Sequence, residues 1–120
     1  MTNSPTPTPT ELASTAYEAI RALAHTTFGG VIGFEEPADV YDTVANLKQA
    51  AASLSQCLDQ TGQFLTRLAA TDHLESHQGD LNRRLAESLA GLDDAARAAQ
   101  ALYRGLDRAH SGLGPIAYKD

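Results

Sequence analysis

The sequence predicts an all-α protein, and three observations carry that expectation. Ala and Leu dominate a chain of 120 residues that contains no Trp, four Tyr and three Phe, a composition that favours helix over sheet. Two long stretches repeat apolar residues at alternating spacings of four and three, the signature of a helical seam. A Thr-Pro-x-Glu signal stands ahead of a third, shorter apolar stripe that begins at Leu12, as a helix start requires. At this length one domain with one modest core is expected.

Residues 1–8 alternate Pro with Thr or Ser and read as an extended tail that buries nothing. This start has neither a basic nor an apolar segment, so it is not expected to be a signal peptide. Thr8, Pro9 and Glu11 then spell an N-cap, a first-turn proline and the acid that closes a capping box. Leu12, Ala16, Ala19, Ile20 and Leu23 follow on one stripe, which places helix 1 over about residues 9–27.

Residues 28–36 form a Gly-rich apolar loop. In FGGVIGF, Gly29, Gly30 and Gly33 separate Phe28, Val31, Ile32 and Phe34. No Lys accompanies the glycines, so a phosphate cradle is not indicated. These four apolar residues either fold over the end of a helical bundle as a cap or stand exposed as a binding patch. Glu35, Glu36 and Asp39 bracket Pro37 and read as helix-start chemistry favoured by the helix dipole.

Helix 2 is expected over about residues 37–70, with a seam of Val40, Val44, Leu47, Ala51, Leu54, Leu58, Thr61, Leu65 and Leu68. Helix 3 is expected over about residues 80–109, with Leu81, Leu85, Ser88, Leu92, Ala95, Ala99, Leu102, Leu106 and Ala109. Residues 71–79 supply the turn of a long antiparallel hairpin, and residues 111–120 a tail. Gly62 and Gly91 each weaken their helix by about 1 kcal/mol relative to Ala, too little to break a packed helix.

Each seam is wider than a two-stranded coil needs. Ala50, Cys57 and Phe64 lie seven apart along one flank of helix 2, and Leu89, Ala96 and Tyr103 do so on helix 3. Helix 1, roughly 25 Å long, can cover only about half of a hairpin roughly 45 Å long. The remaining flank is expected to meet another chain, most simply a second copy in a dimeric bundle. The expected partner-binding residues are therefore Phe28, Val31, Ile32, Phe34, Cys57, Phe64, Leu89 and Tyr103.

Chemistry is sparse. His73 and His77 would share a face if residues 72–77 were helical, with a spacing suited to one metal. Glu75 would lie on the opposite side, and His25 and His110 belong to the far end of the hairpin, so a solvated polar turn is the expectation and a metal site the weaker alternative. Asp72 with Glu75, or Asp80 alone, has a simpler use as the N-cap of helix 3. Cys57, the only cysteine, rules out an internal disulfide and is expected to be a buried, inert hydrophobe. No nucleophile stands at a recognisable spacing from a base, and adjacent acids such as Asp93 and Asp94 point apart on a helix. No catalytic residue and no cofactor are expected.

The net charge is -6, which offers no global attraction to nucleic acid or anionic lipid. Helix 3 carries Arg83, Arg84, Arg97, Arg104 and Arg108, yet Asp80, Glu87, Asp93, Asp94 and Asp107 cancel them within the same helix, as intrahelical ion pairs would. No stretch of 18 apolar residues occurs, so no membrane span is expected.

Two segments, YEAIRALAHTT (residues 17–27) and PADVYDTVANLKQAAASLSQCLDQ (residues 37–60), resemble a group of small helical proteins of actinobacteria. The resemblance implies a helical fold and a bacterial, cytoplasmic setting, and it brings no site residues with it. The function expected from the sequence is non-enzymatic: an oligomeric scaffold or accessory subunit. The rivals are an accessory factor in DNA transactions that uses the arginines of helix 3, and a metal- or ligand-binding bundle that uses the histidines.

Overall fold

A computed structural model describes residues 5–28 and 34–119. The tail expected at residues 1–8 is described only for 5–8, and Gly29, Gly30, Val31, Ile32 and Gly33 lie outside the described residues. Three helices follow in order: α1 (Pro9–Thr26), α2 (Pro37–Ala70) and α3 (Leu81–Leu113), with no strand among the described residues. The protein is all-α, and α2 packs extensively against α3 as an antiparallel hairpin.

The helix starts follow local chemistry. The Thr8 backbone N–H donates to the Glu11 carboxylate at 3.0 Å while the Glu11 N–H donates to Thr8 Oγ1 at 3.1 Å, closing the capping box. The Thr8 backbone N–H, and after it the Thr8 hydroxyl, hold the Glu11 carboxyl below its ordinary range, because hydrogen bonds to the carboxylate favour the charged form. At α2 the Asp39 carboxylate accepts from the N–H groups of Glu35 (2.9 Å) and Glu36 (3.0 Å), and those bonds lower its pKa in the same way. The acidic run around Pro37 is thus helix-end chemistry.

The start of α3 is built differently. Asp80 occupies the N-cap, but its side chain makes no capping bond to the backbone. It accepts instead from Ser76 Oγ at 2.7 Å and from Arg83 and Arg84, each at 3.1 Å, and Ser76 is the leading cause of its lowered pKa. Asp72 takes no capping part: it sits in the turn with φ 62, and Gly79 follows with φ 73. At its other end α3 runs past residue 109 to Leu113. His110 stacks on Tyr41 at 4.2 Å between ring centroids, and Leu113 is half-buried, so contact with the start of α2 outweighs the cost of Gly112.

Three contacts set the hairpin register. Ser55 Oγ donates to the Ala96 carbonyl at 3.3 Å, Lys48 Nζ lies 5.9 Å from the centre of the Tyr103 ring, and Tyr41 meets His110. The buried stripe on α2 runs through Val40, Val44, Leu47, Ala51, Ser55, Leu58, Gly62, Leu65 and Ala69, none of them exposed. Its mean spacing is about 3.6 residues, the period of a straight helix, where the apolar pattern repeats every 3.5. The expected seam therefore slips sideways after Ala51. Leu54 is 47% exposed and Thr61 is exposed. On α3 the same shift brings Leu89 and Ala96 into the interface and turns Ser88, Leu102 and Ala109 outward.

Among the described residues the fully buried hydrophobic ones are Ala51, Ala96 and Ala99, and no large side chain is fully enclosed. A buried methyl or methylene contributes about 0.8 kcal/mol, so this core is thin. α1 has no buried residue, and Leu12, Tyr17 and Ile20 are all more than half exposed. The radius of gyration is 19.4 Å, against roughly 14 Å for a compact globule of this length.

Candidate functional site: the uncovered side of the hairpin

The hairpin has two unlike sides. At 100° per residue, one side of α2 presents Lys48, Asp59, Gln63 and Thr66, and the same side of α3 presents Asp93, Gln100, Arg104 and Asp107. Shared grooves confirm the pairing: Asp59, Gln63 and Thr66 line one with Asp93, and Ala52 and Ser55 line another with Gln100 and Arg104. Lys48 bridges to Asp107 at 3.2 Å on this side. It is a polar, solvated surface.

Over its central stretch the opposite side carries no charge; toward the turn it meets Arg67, whose guanidinium lies 5.7 Å from the centre of the Phe64 ring, and Arg84 and Glu87, which fall on the same side of α3 as Leu102 and Gly105. On α2 the central stretch consists of Ala50, Leu54, Cys57, Thr61 and Phe64, all exposed, at spacings of four and three. On α3 it consists of Ser88, Gly91, Ala95, Ala98, Leu102, Gly105 and Ala109. Leu54, Phe64 and Leu102 are 47%, 54% and 51% exposed, and α1 leaves them so. Bulk is concentrated on α2, while α3 offers small residues beside one leucine.

The sequence-predicted partner residues distribute unevenly over this geometry. Phe64 and Cys57 lie on the uncovered side. Cys57 is exposed, which corrects the expectation of a buried, inert thiol: the slip of the seam rotates residue 57 out of the contact. Leu89 is in the seam itself, in a groove with Leu58, Gly62 and Leu92, and is not on an uncovered flank. Tyr103 sits beneath Lys48 and lines the polar-side groove. Phe28 is 84% and Phe34 38% exposed, so neither closes over the bundle end; Val31 and Ile32 lie outside the described residues. Leu54 and Leu102, read from the sequence as seam residues, belong to the uncovered side, and nothing in their spacing marks them as such.

The histidine pair is not on a helix. Residues 71–80 are a turn, both His73 and His77 are exposed, and the premise of a shared helical face fails. Among the described residues no group of three His, Cys, Asp or Glu side chains is placed to hold a metal ion. On α3, Arg83 and Arg84 pair with Asp80, and Arg97 pairs with Asp93 at 3.0 Å. The intrahelical pairing expected for these three arginines is present.

A second concavity lies at the open end of the hairpin. Tyr41, Leu113, Ile116 and Tyr118 surround about 340 Å³ beside Pro37, and the Tyr118 hydroxyl donates to the Glu35 carbonyl. It is shallow, and Ile116 and Tyr118 are largely exposed.

Among the described residues no helix is long and apolar enough to cross a membrane. No protein-family model, curated protein or solved structure matches the chain. The class that the fold and its surface define is a helical-hairpin protein with one apolar side left open.

Proposed function

We propose that the protein is a non-enzymatic interaction module, an oligomeric scaffold or accessory subunit whose working surface is the uncovered side of the α2–α3 hairpin. One observation carries the reading. The apolar residues of the hairpin outnumber the partners its own chain supplies, so that Leu54, Phe64 and Leu102 stand about half exposed while, among the described residues, the fully buried hydrophobic side chains are alanines. Contiguous apolar surface of this extent on a small protein marks a place of association. The phenylalanines at positions 28 and 34 are also exposed and extend the apolar surface the protein offers.

The reading is tested by affinity capture from the native host with the full chain and with Phe64→Glu. A protein, including a second copy, that is held by the original chain and lost with the variant supports it. Equal recovery of every captured protein with both chains overturns it.

A further inference from the structure

We propose that the occupant of the uncovered side is a second copy of this chain, set face to face so that α2 of each copy lies antiparallel over α3 of the other. The inference rests on the interaction reading above and names its partner. Three observations on the surface point to it.

The first is area. The accessible surface is 9515 Å², against roughly 6,200 Å² for a compact monomer of this mass, so the chain alone leaves far more surface wet than a finished fold does. The uncovered side runs from Ser88 to Ala109 on α3, with Ala50 to Phe64 of α2 alongside, about 30 Å, and is two helices, about 20 Å, wide. That is about 600 Å² per copy, or about 1,200 Å² for the pair, at the lower end of the range of stable interfaces.

The second is charge. A chain of net charge -6 repels its own copy wherever charged groups meet. The polar side of the hairpin carries Lys48, Asp59, Asp93, Arg104 and Asp107, whereas the uncovered side carries none from Ala50 to Phe64 on α2 or from Ser88 to Ala109 on α3; its charges, Arg67 over the Phe64 ring and Arg84 and Glu87, lie toward the turn. Two copies can close on that central stretch without burying a charge.

The third is shape, and it selects the arrangement. The register set by Ser55 with Ala96 and Tyr41 with His110 puts Phe64 at the height of Ser88, Leu54 at the height of Ala98 and Leu102 at the height of Ala50. A two-fold axis parallel to the helices keeps each height and exchanges α2 for α3. Each of these three bulky residues of one copy then meets a small residue of the other, as a self-complementary interface requires. The alternative axis, across the helices, stacks α2 on α2 and α3 on α3, bulk on bulk and small on small, and leaves the layer wedge-shaped.

Light scattering behind a sizing column, run on the full chain across concentrations, reads the assembly. A dimer is expected, with Phe64→Glu and Ala98→Glu each raising its dissociation constant more than about tenfold and Gln63→Glu, on the polar side, leaving it unchanged. Circular dichroism on each variant separates loss of pairing from loss of helix. Glu75→Cys in a Cys57→Ser background, labelled with a nitroxide, reads the arrangement: both turns lie at one end, so the pulsed electron-resonance distance is expected below about 30 Å, against about 50 Å for the crossed axis. The longer distance overturns the arrangement. A monomer at every concentration overturns the second copy. If that monomer still captures a host protein that Phe64→Glu loses, the interaction reading stands without it, and if it captures nothing both fall.

Discussion

Ser55 Oγ donates to the backbone carbonyl of Ala96 at 3.3 Å, across the centre of the hairpin and out of solvent. Each residue is one position beyond the large or apolar neighbour, Leu54 or Ala95, that the repeat of the sequence places in the seam. Close approach explains the exchange. With Ala51, Ala96 and Ala99 the hydroxyl makes a contact in which the helices meet at small side chains, and a leucine at position 55 has no room there.

Ser55→Ala is therefore expected to lower stability by about 1 kcal/mol, the net worth of one such bond. Ala96→Leu is expected to cost about 1–3 kcal/mol through overpacking. Urea unfolding followed by circular dichroism checks both, and an Ala96→Leu chain as stable as the original would place the seam elsewhere.

Helix-end carboxylates make stability depend on acid. Glu11, Asp39 and Asp80 all have pKa values lowered in the folded chain, so each binds a proton less readily folded than unfolded. Their contribution is present above the unfolded values near about 4 and is lost as pH falls through the lowered ones. Helicity is expected to drop over that acid range, and Asp39→Asn to flatten its share of the drop. An Asp39→Asn titration that superimposes on the original would show that the Glu35 and Glu36 amides do not depend on this charge.

Two glycines respond to alanine with opposite sign. Gly79 has φ 73, a left-handed turn conformation in which a Cβ costs about 1 kcal/mol, so Gly79→Ala destabilises. Gly91 lies within α3 with open space where a Cβ would go, and Gly91→Ala stabilises the single chain by about 1 kcal/mol. Thermal melts of dilute protein compare the two, and a shift of the same sign for both would contradict the backbone assigned to the turn.

Cys57 is exposed beside Leu54 and Phe64. Its thiol is expected to react freely with a thiol reagent in dilute solution and to be protected as concentration rises and a second copy covers that side. Reactivity independent of concentration would speak against the pairing.

Most of the architecture is readable in the residues. The Thr8–Glu11 box, the acids around Pro37, the two amphipathic stretches and the turn between them each encode a local preference, and local preferences act over a few residues whatever the rest of the chain does. The repeat of apolar residues also shows that more surface is greasy than a hairpin can bury, because periodicity counts faces.

Which residues occupy which face is another matter. A repeat of 3.5 and a helix of 3.6 part company by about 20° per heptad, and the sequence alone does not say where along the helix the difference is absorbed. Packing decides it here, by bringing the two helices together at Ala51, Ser55 and Ala96. That choice turns Leu54 and Leu102 outward and draws Leu89 in. It also exposes Cys57. Side-chain size at the point of closest approach, a property of two helices and of neither one, is the physical reason that the open side of this protein could be expected from its sequence and yet be drawn correctly only in three dimensions.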